Sequence, residues 1–232
     1  MTNRLVLWDI DGTLIRGGVV GAEVFELAIE RVLGARPRAQ VRLSGKTDRQ
    51  IAEEFLAIHG SEDPRHIPAV LYHLEQELAL RVDRIASEYS ACPGVEAVLR
   101  ALSEADSVEQ TVLTGNIAPN AVAKLAPFGL DRYLDLEVGA YGSDHADRRS
   151  LLPLAWRLQR ELRDTHYLPA ETWIVGDTPR DFDCARAGGA HCLLVATGRY
   201  ELAELQALGA DVAIDDLSNP ATVVDILTSA NN

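Results

Sequence analysis

The sequence predicts an α/β protein, a parallel sheet covered on both faces by helices, with a small all-helical segment inserted after the first strand. Three observations predict it. Five short apolar runs (5–8, 111–113, 173–175, 192–196 and 212–214) are each followed by Gly, Asp or Thr. Most are separated by apolar residues at helical spacing, the alternation expected of parallel strands joined by crossover helices. One long stretch, from about Val19 to Ile85, has helical periodicity and no convincing strand.

The elements come in chain order. The run 5–8 reads as a buried first strand. Gly17–Gly18 and Pro93–Gly94 are natural turn points, and they bracket the insertion. Within it, Ile51 and Phe55 mark one helix. Ile67, Val70, Leu71, Leu74, Leu78, Val82 and Ile85 form one continuous apolar stripe. Residues 17–89 are therefore expected to form a separate helical unit, with 1–16 and 90–232 forming the sheet-bearing core. After the strand 111–113, a helix is expected over 121–126, with Pro127 as a local obstacle. Leu151, Leu154, Ala155, Leu158 and Leu162 mark the next helix. The strand 173–175 leads to a helix through Ala185–Ala187 that Gly188–Gly189 stops, and two further strands complete the sheet. In such sheets ligands sit at the carboxyl ends of the strands.

Composition narrows the function classes. The chain has 232 residues, 47% of them apolar, and a formal charge of −13 from 35 acidic and 22 basic side chains. That content supports a folded core and argues against nonspecific nucleic-acid binding, which depends on neutralising phosphates with basic groups. Only Lys46 and Lys124 are lysines; the other twenty basic residues are arginines. No apolar run approaches the ~18 residues of a membrane span. Asp9 and Asp11 interrupt the only apolar stretch near the N-terminus, so a cytoplasmic location is expected. Cys92, Cys184 and Cys192 form no CxxC pair and read as small buried side chains. His66 and His73 lie too far apart for the usual i,i+4 zinc pair.

Chemistry concentrates at three strand ends. Asp9-Ile10-Asp11-Gly12-Thr13 follows the first strand, and alternation along an extended backbone puts Asp9 and Asp11 on one side. Two carboxylates this close repel, so one is easily held protonated, which suits a nucleophile beside a general acid. Alone, the motif could equally be a calcium-type loop fragment or a solvated turn. Thr114-Gly115-Asn116 ends the second strand, where a hydroxyl and backbone N–H groups can hold phosphate oxygens or simply cap a turn. Gly176-Asp177-Thr178-Pro179-Arg180-Asp181 follows the third. Pro179 suits the first turn of a helix, and Asp181 could merely complement that helix dipole, which leaves Asp177 at the strand tip unexplained.

In the order D-x-D-G-T, T-G-N, G-D-x-x-x-D, these motifs resemble those of the haloacid dehalogenase-like hydrolases, which have a Rossmann-like core. The resemblance runs from Asp9 to Asp181, and Ala187-Gly188-Gly189 and Ala196-Thr197-Gly198 look like later family positions. The helical insertion resembles the cap domain of the phosphoglycolate phosphatase-like branch, and Gly45-Lys46-Thr47-Asp48 looks like a short signature of that cap.

The resemblance implies a magnesium-dependent phosphatase. Asp9 would attack phosphorus and form an aspartyl-phosphate, and Asp11 would act as general acid and base. Thr114 would hold a phosphate oxygen, with Gly12, Thr13, Gly115 and Asn116 around the phosphate. Asp9, Asp177 and the backbone carbonyl of Asp11 would bind Mg²⁺, with Asp181 in or just behind that shell; hard oxygen ligands favour magnesium over zinc. A carboxylate ~4 Å from a dianionic phosphate meets roughly 8 kcal/mol of repulsion at an effective dielectric of ~20, so a fixed cation is needed as well. The family commonly supplies a lysine in a Lys-Pro after the strand following T-G-N; here Arg148-Arg149 occupies that region. Some branches of the family use a lysine from the helix after T-G-N, and Lys124 lies there, in a chain that otherwise favours arginine. Lys124 is thus expected to be essential and Arg148 less so. Lys46 would either meet the leaving group or cap a helix with Thr47 and Asp48.

The expected partner is a small phosphomonoester, with no nucleic acid and no membrane, bound by a monomer or homodimer. A phosphomutase shares almost every motif. A noncatalytic receiver domain uses similar residues, but is about half as long and lacks a helical insertion.

Overall fold

The structure is a computed structural model and describes residues 3–37 and 41–229. Strand β1 (Arg4–Trp8) is followed by a short strand β2 (Ile15–Gly17) and four helices, α1 (Val20–Leu33), α2 (Asp48–Ile58), α3 (His66–Ala79) and α4 (Val82–Glu88). Strand β3 (Tyr89–Ala91) pairs antiparallel with β2, so the chain leaves and re-enters the sheet-bearing part through adjacent strands. Then come α5 (Val95–Ser103), β4 (Val108–Val112), α6 (Ala118–Leu125) and α7 (Leu151–Arg163). The chain continues through β5 (Thr172–Gly176), α8 (Pro179–Gly188), β6 (His191–Val195), α9 (Leu202–Gln206), β7 (Val212–Ile214) and α10 (Pro220–Thr228).

The five strands expected from the apolar runs form one parallel sheet in the order β4-β1-β5-β6-β7. Alternation distributes β1 between two cores. Val6 and Trp8 pack with residues of α5, α6 and α10, while Leu5 and Leu7 pack with residues of α7 and α8. β1 and β5 are buried throughout, as central parallel strands must be when helices cover both faces. Trp8 lies opposite both Val112 and Val175, so β4, β1 and β5 end in step and their tips form one platform.

Helices α1–α4 pack around a third apolar cluster that includes Val24, Phe25, Ile29, Ile51, Phe55, Leu74 and Leu78. The stripe read as continuous from Ile67 to Ile85 is divided here between α3 and α4. The Arg81 side chain donates to the Glu77 carbonyl oxygen at 2.8 Å and closes the end of α3, leaving Leu80 76% exposed. The sequence pattern predicts no strand at β2 or β3, yet both form. Each has three residues and no fully buried run, so their pairing rests on tertiary position. Pro127 acts where it was expected to: α6 ends at Leu125 and tightens into a 3₁₀ turn over Ala126–Phe128. All three cysteines are free and buried. Among the described residues, no helix is long and apolar enough to cross a membrane.

Candidate active site

The in-step strand ends bring together residues that lie up to 172 positions apart. Asp9 leaves β1 with its N–H donated to the Val175 carbonyl at 2.9 Å, and its side chain is buried. Ile10 turns into the core, and backbone bonds from Leu14 and Ile15 to its carbonyl close a tight loop. Gly12 has a positive φ of 92°, and a Cβ there would lie 2.4 Å from Asp177 Oδ2. Only glycine lets this loop pass so close to the β5 tip. Thr13, expected at the phosphate, instead directs its hydroxyl to Asp177 Oδ1 at 3.5 Å.

Asp9, Asp177 and Asp181 each offer a carboxylate oxygen within 4.8 Å of the others, all three buried. Burial pushes the Asp9 carboxyl up to about 6, with Arg148 opposing the rise and the charge of Asp181 adding to it. Burial and the charges of Asp9 and Asp181 likewise raise Asp177 well above the ordinary carboxylate range. Two carboxyls as reluctant to ionise as Asp9 and Asp177 are what a hard divalent cation would relieve, and the all-oxygen donor set fits magnesium. Asp181 is less free to be a direct ligand. Its Oδ1 accepts from Arg148 at 2.6 Å, and its Oδ2 accepts from the Thr178 N–H and hydroxyl at 3.0 and 2.7 Å.

The structure gives the two motif aspartates separate cations. Arg148 Nη2 lies 3.0 Å from Asp9 Oδ1 as well as bonding Asp181. Lys124 Nζ reaches across from α6 to both oxygens of Asp11, at 2.8 and 2.6 Å, and to Asn116 Oδ1 at 2.7 Å. Asn116 in turn donates to Asp11 Oδ2 and to the Thr114 hydroxyl, at 2.8 and 2.9 Å. Lys124 is 6% exposed. Burial, the largest single effect, opposes its charge, but the charge and hydrogen bonds of Asp11 together with the charge of Asp48 outweigh it and the pKa is raised, so it stays an ammonium. For Arg148, burial is likewise outweighed by Asp181 and Asp9. Arg149 is exposed and pairs with Asp147, away from this cluster.

The expectation of a minor part for Arg148 is therefore revised. Its guanidinium is 3% exposed and also donates to the Leu113 carbonyl at 3.2 Å. It ties the nucleophile candidate to the end of β4 and to Asp181.

The Gly45–Asp48 segment seats the helical insertion on this platform. The Asp48 N–H donates to the Gly115 carbonyl at 2.7 Å, and Asp48 Oδ2 accepts from the Ile117 N–H at 2.8 Å. Thr47 caps α2 by accepting from the Gln50 N–H at 3.1 Å, and its hydroxyl donates to the Ala146 carbonyl at 2.8 Å. A Cβ on Gly115 would sit 2.0 Å from the Lys46 carbonyl oxygen, so the glycine of T-G-N serves this close approach. Lys46 itself is ion-paired with Glu54 and lines the cavity. Sequence reasoning does not single out Asp48 as a site residue, although it lies in the cap signature. Burial pushes its carboxyl up to about 7, with Lys124 opposing the rise.

A cavity of about 210 Å³ opens between platform and insertion. Asp9, Asp11, Thr114, Gly115, Lys124 and Arg148 line its floor.

A family profile of haloacid dehalogenase-like hydrolases matches residues 6–195, the span that carries every one of these floor residues. The chain belongs to the haloacid dehalogenase-like hydrolase family. Several solved structures share its fold. A hydrolase from Pseudomonas syringae superposes with a TM-score of 0.70 at 18% identity, covering 98% of this chain and 100% of its own. A predicted phosphatase from Clostridium acetobutylicum gives 0.67 at 18% identity, covering 97% of this chain and all of its own. CbbY from Rhodobacter sphaeroides, solved with phosphate, gives 0.66 at 19% identity over 94% and 96% of the two chains. No curated protein matches the sequence. In this member of the hydrolase family, Asp9 and Asp11 each face a different buried cation.

Proposed function

We propose that this haloacid dehalogenase-like hydrolase is a magnesium-dependent phosphatase of small phosphomonoesters, with residues 17–89 as a cap over a catalytic core formed by 1–16 and 90–232. The observation that carries the reading is the division of Asp9 and Asp11 between two cations at the floor of one cavity. Arg148 holds Asp9 in place, which leaves its other carboxylate oxygen to attack phosphorus and form an aspartyl-phosphate. Asp11 is more open, its side chain 44% exposed, and is oriented by Lys124 and Asn116. It would give a proton to the departing alkoxide and later take one from the hydrolytic water.

Asp9, Asp177 and the Asp11 backbone carbonyl would hold Mg²⁺, with Asp181 behind them. When bound, the ion would neutralise phosphate charge and lower the cost of bringing Asp9 to phosphorus. Lys124 is the fixed cation at the same floor, and the Thr114 hydroxyl and the backbone around Gly115 and Asn116 are the neutral donors for phosphate oxygens. Seating the cap through Asp48 and Gly45 excludes water from the reacting groups.

The test is phosphate release from a panel of metabolite phosphomonoesters with magnesium, with the Asp9→Asn protein as blank. Release well above the blank, lost on chelation, supports the reading. No difference from the blank on any substrate would sink it. A phosphomutase would instead show little net release and a requirement for a bisphosphate.

A further inference from the structure

The wall of the cavity above the carboxylates comes from the helical insertion, and it is mostly apolar, with Ser44, Lys46 and Asp48 as its polar members. Val24 and Phe25 of α1, Leu43, Ile51 of α2, and Leu74 and Leu78 of α3 line it. Of these, Val24, Phe25, Ile51, Leu74 and Leu78 are at most 5% exposed, so they form a fixed surface. Among the described residues, three basic side chains line the cavity, and each already has a carboxylate partner. Lys124 pairs with Asp11, Arg148 with Asp9 and Asp181, and Lys46 with Glu54. Ser44 and Asn120 are the neutral polar side chains above the floor. The Asn120 amide makes only a long 3.5 Å bond to the Leu74 carbonyl.

We infer that the phosphoester this site takes has a compact, uncharged and mainly apolar leaving group, a short-chain alcohol or single-ring phenol, with Phe25, Ile51, Leu74 and Leu78 as its specificity residues. The inference rests on the phosphatase reading and narrows it.

Two physical arguments carry it. A second anionic group, such as the carboxylate of phosphoglycolate or the far phosphate of a bisphosphate, would be desolvated against these walls, where the only cation above the floor among the described residues, Lys46, is already paired with Glu54. A polyhydroxylated leaving group would exchange several hydrogen bonds to water for contacts with methyl groups and a phenyl ring. Size points the same way, since about 210 Å³ lies below the ~300–1,000 Å³ of pockets that take drug-sized ligands. The lack of an uncommitted cation on this wall likewise disfavours a bisphosphate-dependent phosphomutase.

The experiment compares kcat/KM for phenyl phosphate, propyl phosphate, glycerol 3-phosphate, glucose 6-phosphate and phosphoglycolate, with magnesium, in the wild type and in Glu54→Gln. The wild type is expected to prefer phenyl or propyl phosphate over each of the other three by roughly tenfold or more. Glu54→Gln frees Lys46 and should raise the phosphoglycolate-to-propyl phosphate ratio several-fold. Equal rates across the panel, or a preference for phosphoglycolate or a sugar phosphate, would overturn the inference while leaving the phosphatase reading standing. A Glu54→Gln protein with an unchanged ratio would show that Lys46 charge is not what excludes the anion, and would count against it. Release no faster than the Asp9→Asn blank on every ester would remove both.

Discussion

At the floor of the cavity, Asp11 meets Lys124 and Asp9 meets Arg148; the wall from the helical insertion is Phe25, Ile51, Leu74 and Leu78. Most of both surfaces is buried, yet they are stabilised by opposite means. The wall gains from leaving water, at about 25 cal/mol per Å² of apolar area. The floor loses by it, and persists because each cation is bracketed by carboxylates and the β-strand ends hold them in register. The difference teaches how chemistry and selectivity are divided: the floor should control the rate of bond breaking, and the wall which alcohol is accepted.

Substitutions can break or sharpen that division. The largest effect is expected from Asp9→Asn, which should lower kcat by a factor on the order of 10⁴ or more while the protein stays folded. Lys124→Ala comes next, with a kcat loss on the order of 10²–10³ measured by phosphate release. Arg148→Ala should act on both rate and stability. It leaves Asp9 and Asp181 buried without their cation, an expected loss of about 3–5 kcal/mol in chemical denaturation. If Arg148→Ala were as stable as the wild type, the account of the floor would need rebuilding.

Leu74→Ala should cost about 2–5 kcal/mol of stability through the cavity it leaves. Its kinetic signature should be a raised KM and a changed substrate ratio, with kcat reduced less than in Lys124→Ala. A kcat loss as steep as that of the lysine variant would erase the distinction between floor and wall.

The last effect, on stability and with no change in catalytic rate assigned to it, is a slope with pH. Asp48 is raised by burial from 3.8 to about 7. A carboxyl raised on folding contributes its stability below the unfolded value and loses it as pH climbs through the folded one. Relative to Asp48→Asn, the wild type should therefore lose stability between about pH 4 and 7, by about 1.4 kcal/mol per pH unit at most. Denaturation midpoints of the two proteins across that range provide the check; a constant difference would contradict the burial of an ionisable Asp48 at the seam.

The legibility of these regions in the sequence differs for a physical reason. The strand-tip motifs are local. An apolar run, then Asp, Gly or Thr, then a helix start, is written in consecutive residues, and so the five strands and the three acidic or hydroxyl tips are readable directly. Lys124 is readable by a rarer signal, its being one of two lysines in an arginine-rich chain. The wall residues carry no such signal. Phe25, Leu74 and Leu78 have the helical spacing of any core residue, and periodicity cannot tell a side chain that packs on a neighbour from one that also faces a cavity. The β2–β3 pair is invisible for a related reason: three-residue strands with mixed exposure leave neither an apolar run nor an alternation to detect.

By itself, the sequence determined the α/β order of elements, the helical insertion and the identity of the acids at the strand ends, because those depend on neighbours within a few residues. Only the tertiary structure decided which cation serves which acid. Lys124 meets Asp11 across 113 positions, and Arg148 meets Asp181 across 33. Those pairings depend on strand register and on the direction from which α6 and the turn before α7 approach the platform, neither of which is written in local pattern. The tertiary structure also turned part of an ordinary apolar core into the wall of a cavity, by leaving a space where the helical insertion meets the strand ends.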